Sequence, residues 1–177
     1  GVRPNHVTIA ALVLSFAVGA LIAWRPAARW PLLLLPVALL ARMALNALDG
    51  MMARELGMAS RLGAVLNELG DVLSDAALYL PLAMVPGVPA ALVVVAVVLA
   101  VISEMAGVVA IQIGATRRYD GPTGKSDRAF VFGAFGLALG LGARAGRWVD
   151  IVLWIVLALL VLTIRNRVHR ALAERRS

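Results

Sequence analysis

The sequence predicts an all-α integral membrane protein, a six-transmembrane-helix bundle. Three observations lead there. First, 62% of the 177 residues are hydrophobic and the mean hydropathy is +0.90, whereas soluble domains carry roughly 45–50% apolar residues. Second, apolar runs recur along the chain, each near the roughly 20 residues a helix needs to cross a bilayer. Third, Pro, Gly and Arg punctuate those runs. Helices are the expected form, since lipid satisfies no exposed backbone group. The length suits one domain over residues 1–177, and the absence of Cys rules out disulfides and thiolate metal sites.

Six spans are expected, at about 6–24, 30–54, 61–86, 89–115, 127–143 and 147–165. Arg25-Pro26 ends the first. That run, from Val7 to Trp24, is too long for a signal-peptide core and lacks a cleavage site, so it is expected to be retained. The abrupt opening at Gly1-Val2-Arg3-Pro4-Asn5 suggests a short missing N-terminal piece. A polar turn from Glu55 to Ser60 separates spans two and three, and Pro86-Gly87-Val88-Pro89 separates three and four. The loop Thr116–Ser126 precedes span five, whose GAFGLALGLG run permits close helix contact. Gly142–Gly146 precedes span six, and 165–177 reads as a basic helical tail on the cytoplasmic surface. Trp24, Trp30 and Trp148 fall at span ends, where interfacial aromatics belong.

The net charge is +7, and every basic residue except Lys125 is Arg. With the N-terminus in the cytoplasm, that side collects Arg3, Arg54, Arg61, Arg117, Arg118, Lys125, Arg128 and the tail arginines, including Arg175 and Arg176. The far side holds only Arg25, Arg29, Arg144 and Arg147. This asymmetry assigns the charge to topology and contact with membrane lipids, and a nucleic-acid partner is not expected.

Polar residues concentrate between Asn46 and Asp75. A charge at the bilayer centre costs about 2.5–3.5 kcal/mol on insertion scales, so such a cluster needs partners, water or a metal. Asn46, Asp49, Gly50, Ala53 and Arg54 form one helical stripe. Gly63, Asn67, Asp71 and Asp75 recur every fourth residue and form a second on the next helix. The two helices are expected to be antiparallel neighbours joined by a short turn, so that their stripes can face each other across a cavity open to the cytoplasm. The oxygens of Asn46, Asp49, Asn67, Asp71 and Asp75 are the candidate metal ligands, and they suit Mg2+, with Mn2+ or Ca2+ as alternatives. The spacing alone equally allows polar groups that hold helices together or line an ion path.

These residues carry a family likeness. Asn46-x-x-Asp49-Gly50-x-x-Ala53-Arg54, eight residues, then Gly63-x-x-x-Asn67-x-x-x-Asp71 resembles the motif D-x-x-D-G-x-x-A-R-x(8)-G-x-x-x-D-x-x-x-D of the CDP-alcohol phosphotransferases. Every interval matches. The resemblance implies a membrane transferase that moves a phosphatidyl or related phosphoalcohol group from a CDP-linked donor, often CDP-diacylglycerol, to an alcohol and releases CMP. It implies phospholipid synthesis, a bacterial inner membrane with the site facing the cytoplasm, and a homodimer. Mapped onto this sequence, Asp49 becomes a metal ligand and Asp71 the general base. Gly50, Ala53 and Gly63 make room for the nucleotide, and Arg54 holds it or its phosphates.

Two positions depart from the motif. Asn46 and Asn67 stand where the family carries Asp. Each amide keeps an oxygen but loses a charge, so weaker metal binding or a single ion is expected. Three readings follow: a natural branch in which Glu68 or Asp75 compensates, a nucleotide-binding pseudoenzyme, or engineered substitutions. Asp75, one turn beyond Asp71, is the better candidate for a further metal ligand, or else a buried partner for Arg42. Glu104 is expected to line the acceptor pocket or to pair with Arg42, and Lys125 and Arg128 to contact the acceptor or a lipid headgroup or to serve topology alone. A rival of another class is a small transporter or ion-conducting bundle that uses the same acids.

Overall fold

The computed structural model describes residues 3–174. Arg175 and Arg176, expected in the basic tail, lie outside the described residues. Six α-helices follow in order: α1 (Pro4–Trp24), α2 (Trp30–Glu55), α3 (Arg61–Tyr79), α4 (Ala90–Gln112), α5 (Lys125–Gly140) and α6 (Arg147–Ala173). A 3-10 segment, Leu80–Met84, continues α3. Among the described residues there is no strand.

Four helices, α1, α2, α4 and α6, are long and apolar enough to cross a membrane. The other two of the six expected spans fall short for different reasons. α3 carries Arg61, Glu68, Asp71 and Asp75 within its 19 residues, and α5 has only 16 residues. α4 presents Val94, Val98 and Ile102 outward as well as Val93 and Val97 inward. A helix that is apolar all round belongs in lipid or deep in a core. α6 runs on without a break to Ala173, so residues 165–173 continue it as a helical extension.

Local signals place the helix ends. The Ser60 hydroxyl accepts from the Gly63 N–H at 3.0 Å and starts α3. Asp127 accepts from the Gly124 N–H at 2.8 Å and starts α5. Pro31 sits in the first turn of α2, where its missing N–H costs nothing.

α1 is the organising helix at the N-terminal end. It packs against both α2 and α3, while α2 and α3 barely touch each other. The sequence suggested that these two would be direct neighbours because a short turn joins them; instead α1 sits against both and leaves a gap between their polar stripes. Gly19 makes the α1–α3 approach possible, since a Cβ there would lie 1.9 Å from the Ala77 carbonyl oxygen. On the other side α5 packs on α2, and α6 packs on α4. The small residues of α5 do what their pattern suggested. A Cβ on Gly136 would meet Leu35 at 2.8 Å, and one on Gly140 would meet Leu33 at 2.6 Å. The core joins Ile22, Leu35, Leu78, Val93, Phe132 and Leu153, with Tyr79 stacked on Phe132 at 4.1 Å between ring centroids.

Gly19→Ala is therefore expected to force α1 away from α3. Overpacking of this kind costs about 1–3 kcal/mol. It should appear as a lower thermal midpoint of the purified protein in detergent.

Candidate active site

The polar stripes of α2 and α3 end in one open cavity of about 590 Å³. α2 lines it with Asn46, Asp49, Gly50, Ala53 and Arg54, and α3 with Gly63, Asn67 and Asp71. Thus every position of the sequence motif faces the same space. The remaining wall comes from distant parts of the chain: Pro4, Asn5 and Thr8 of α1, Glu104 of α4, Tyr119 of the loop before α5, Lys125 at the start of α5, and Arg167 of α6.

The two acids of the motif have different surroundings. Asp49 is 5% exposed, and its Oδ2 accepts from the Thr8 hydroxyl at 2.7 Å. Among the described residues no ion pair involves Asp49. Asp71 is surrounded by donors. Its Oδ1 accepts from Asn46 Nδ2 at 2.8 Å and Arg42 Nη2 at 3.3 Å, and its Oδ2 accepts from Lys125 Nζ at 2.6 Å.

A buried charge network lies beneath the cavity. Arg42 spans from α2 to α3, donating to Asp75 Oδ1 at 2.5 Å and to the Asp71 carbonyl at 3.0 Å. Arg128 of α5 donates to Asp75 Oδ2 at 2.8 Å and to Glu104 Oε1 at 3.0 Å. Arg167 pairs with Glu104 Oε2 at 3.3 Å and donates to the Ser103 carbonyl. Arg117 joins Glu104 to Glu68, at 3.4 and 2.6 Å. The network connects α2, α3, α4, α5 and α6 through ion pairs that shed most of their water.

Several expected roles change with this placement. Asp75 does not line the cavity; both its oxygens go to guanidinium groups, so it serves as the buried partner of Arg42 and Arg128 and not as a further metal ligand. Arg128, expected to touch the acceptor or a headgroup, is 1% exposed and bridges two acids instead. Glu68 pairs with Arg117 outside the cavity and does not compensate for Asn67. Glu104 and Lys125 do line the cavity.

The loop between α4 and α5 is tied down at both ends of its path. Its Arg118 N–H bonds the Gly107 carbonyl of α4 at 3.1 Å, and Gly121 presses against Thr163 of α6. Beyond α6, Glu174 accepts from the Thr116 N–H and hydroxyl and from Arg118. The Thr116 backbone N–H holds the Glu174 carboxyl below its ordinary range, and the hydrogen bond from Arg118 does the same for Asp120. These ties set Tyr119 at the cavity wall.

Sequence reasoning missed Thr8, Arg117 and Arg167. Arg167 had a readable signal. Leu153, Val156, Leu160, Thr163, Arg167 and Ala171 form one buried stripe of α6, so Arg167 continues the core face and not the basic surface. Thr8 likewise sits on the buried face of α1 with Ala11 and Ser15.

The donor set tests the expected metal. Carboxylate and amide oxygens line the cavity and neither His nor Cys does, which fits a hard cation. The fit is sparse: among the described residues no three acidic, His or Cys side chains converge. Asn46 and Asn67 each bring an amide where the motif has a carboxylate.

Residues 2–166 match the CDP-alcohol phosphatidyltransferase family. The chain belongs to this family. Its members are transferases. The chain is 46% identical over 173 residues to the inner membrane protein YnbA of Escherichia coli K12, an alignment covering 97% of this chain and 85% of YnbA. Its fold is similar to that of the Mycobacterium tuberculosis phosphatidylinositol phosphate synthase PgsA1. The crystal structure of PgsA1 with CDP-DAG bound superposes with a TM-score of 0.81 at 21% identity, covering 100% of this chain and 92% of PgsA1. The PgsA1 complex with manganese and citrate gives 0.80 at 22% identity, covering 100% and 88%. The family likeness read from the motif is thereby established for the whole bundle.

Arg42→Ala is expected to destabilise the fold by about 3–5 kcal/mol, because it strands Asp75 against a single guanidinium in a dry site. A thermal melt in detergent should show a large drop in midpoint. Arg54→Ala, at an exposed position, should leave the midpoint nearly unchanged.

Proposed function

We propose that the protein transfers a phosphatidyl or related phosphoalcohol group from CDP-diacylglycerol to an alcohol and releases CMP. The observation that carries this reading is the convergence of all the motif positions on one cavity. The relative solved with CDP-DAG bound supports the donor class, and the relative solved with manganese supports a divalent cation. The setting is the bacterial inner membrane, in keeping with the name of the relative YnbA. All six helices span it, α3 and α5 included, with the site on the cytoplasmic side; the active form is a homodimer.

The roles follow from position. Gly50, Ala53 and Gly63 leave the space that the nucleotide occupies. Arg54, exposed at the mouth, meets its phosphates. Asp49, with the amide oxygens of Asn46 and Asn67, would hold the divalent cation. When bound, such a cation neutralises pyrophosphate charge that would repel an incoming oxygen. Asp71 takes the proton of the acceptor hydroxyl as that oxygen bonds to phosphorus and the bond to the CMP oxygen breaks. Lys125 holds Asp71 in the resting site and can pass its hydrogen bond to an anionic group on the acceptor. Arg42 and Asp75 set the position of Asp71 from below.

The test is CMP release from labelled CDP-diacylglycerol by purified protein, with Mg2+ or Mn2+ and a panel of alcohols. Asp71→Asn should lower the rate at least about 100-fold, the scale of general-base catalysis. Nucleotide binding with no CMP from any acceptor would make the protein a pseudoenzyme. Ion flux in liposomes without either would support a conducting bundle. Orientation can be checked separately, because the chain has no Cys. In inverted inner-membrane vesicles, Ala59→Cys should react with an impermeant maleimide and Ala27→Cys should not.

A further inference from the structure

We infer that the cavity binds one divalent cation, at Asp49, and that Lys125 and Asn46 fill the electrostatic place of a second cation beside Asp71. The inference rests on the transferase reading and specifies its metal chemistry.

The argument starts from Asn46. An ionised carboxylate can only accept hydrogen bonds, so the Asn46 amide turns its N–H toward Asp71 Oδ1, 2.8 Å away. A carboxylate at position 46 would place two anionic oxygens at that separation. Such a pair is tolerated only with a proton or a cation between them. The amide removes that need and replaces a bridging ion with a direct hydrogen bond.

The rest of Asp71 is equally committed. Lys125 sits 2.6 Å from Oδ2, and Arg42 lies 3.3 Å from Oδ1. Before any metal arrives, Asp71 is thus paired with Lys125 and shares Arg42 with Asp75. A divalent ion placed here would meet an ammonium and a guanidinium at close range. At an effective dielectric of about 20, each unit of like charge at 4 Å opposes it strongly.

Asp49 presents the opposite situation. Its carboxylate is 5% exposed, has among the described residues only the neutral Thr8 hydroxyl as hydrogen-bond partner, and faces the cavity. A buried carboxylate without a positive partner is costly. A cation at Asp49 supplies the missing charge, and oxygens of the donor pyrophosphate can complete its shell. The oxygen of Asn46, turned from Asp71, remains available on the same helical stripe three residues away.

The experiment uses MnCl2 and CDP as probes with the full-length protein in detergent. Bound Mn2+ is counted by equilibrium dialysis and examined by electron paramagnetic resonance, and CMP release is assayed in parallel. One Mn2+ per chain, with the spectrum of an isolated ion, is expected. Asp49→Asn should weaken Mn2+ binding at least about tenfold, a scale that even outer-shell partners reach. Asp71→Asn should leave Mn2+ affinity nearly unchanged while removing CMP release. The double variant Asn46→Asp/Asn67→Asp should take up a second Mn2+ and show spin coupling. Two Mn2+ in the unaltered protein, none at all, or loss of the ion in Asp71→Asn would overturn the inference. In each of those cases, continued CMP release by the unaltered protein would leave the transferase reading intact. Absence of both CDP binding and CMP release would overturn the two together.

Discussion

The reach of Arg42 from α2 to Asp71 and Asp75 on α3 is the constraint on which the site depends. Charges in an apolar bundle must be neutralised locally, because no water is present to do it. Arg42 meets that demand with hydrogen bonds to the Asp75 carboxylate and the Asp71 backbone. Helices that barely touch are thereby held at a set distance, and the gap between them becomes a cavity and not a collapsed seam. Arg128 and Glu104 extend the same neutralisation to α5 and α4. The acids near the membrane interior therefore differ in their surroundings. Asp75 is held in ion pairs beneath the cavity, Asp49 meets the open space with no ion pair among the described residues, and Glu104 and Asp71 do both.

Two amides where the family motif has acids change the electrostatics of that space more than its shape. Asn and Asp are nearly isosteric, so the cavity keeps its form. The loss of two negative charges leaves Lys125 as the counter-charge of Asp71, while Arg42 is shared between Asp71 and Asp75. The same exchange turns a repulsive contact into a hydrogen bond, which gives the site order in the absence of any ion. The Thr8 hydroxyl plays a corresponding part for Asp49, although it satisfies geometry and leaves the charge uncompensated.

Cavity access depends on elements far along the chain. The α4–α5 loop would be free to swing if it were only a connection. Gly107 and Gly121 let its backbone press onto α4 and α6, and Glu174 ties its start to the end of α6. The loop therefore presents Tyr119 as a fixed wall and leads into Lys125 at the start of α5, stiffened by Arg117 over the Tyr119 ring at 4.2 Å.

Hydropathy and spacing by themselves determined the helix count, the bundle class and the motif face of α2 and α3. These properties follow from local rules: lipid requires helices, and residues three and four apart share a face. The pairing of Asp75 with Arg42 was within reach of that reasoning as one of two alternatives. Only the tertiary structure decided that α1 packs on both motif helices, that Thr8 and Arg167 complete the wall, and that Arg128 is buried. Those outcomes depend on which side chain can find an opposite charge once several helices meet. Sequence distance carries no record of that, since the partners lie 24 residues apart for Glu104 and Arg128, and 54 apart for Asp71 and Lys125.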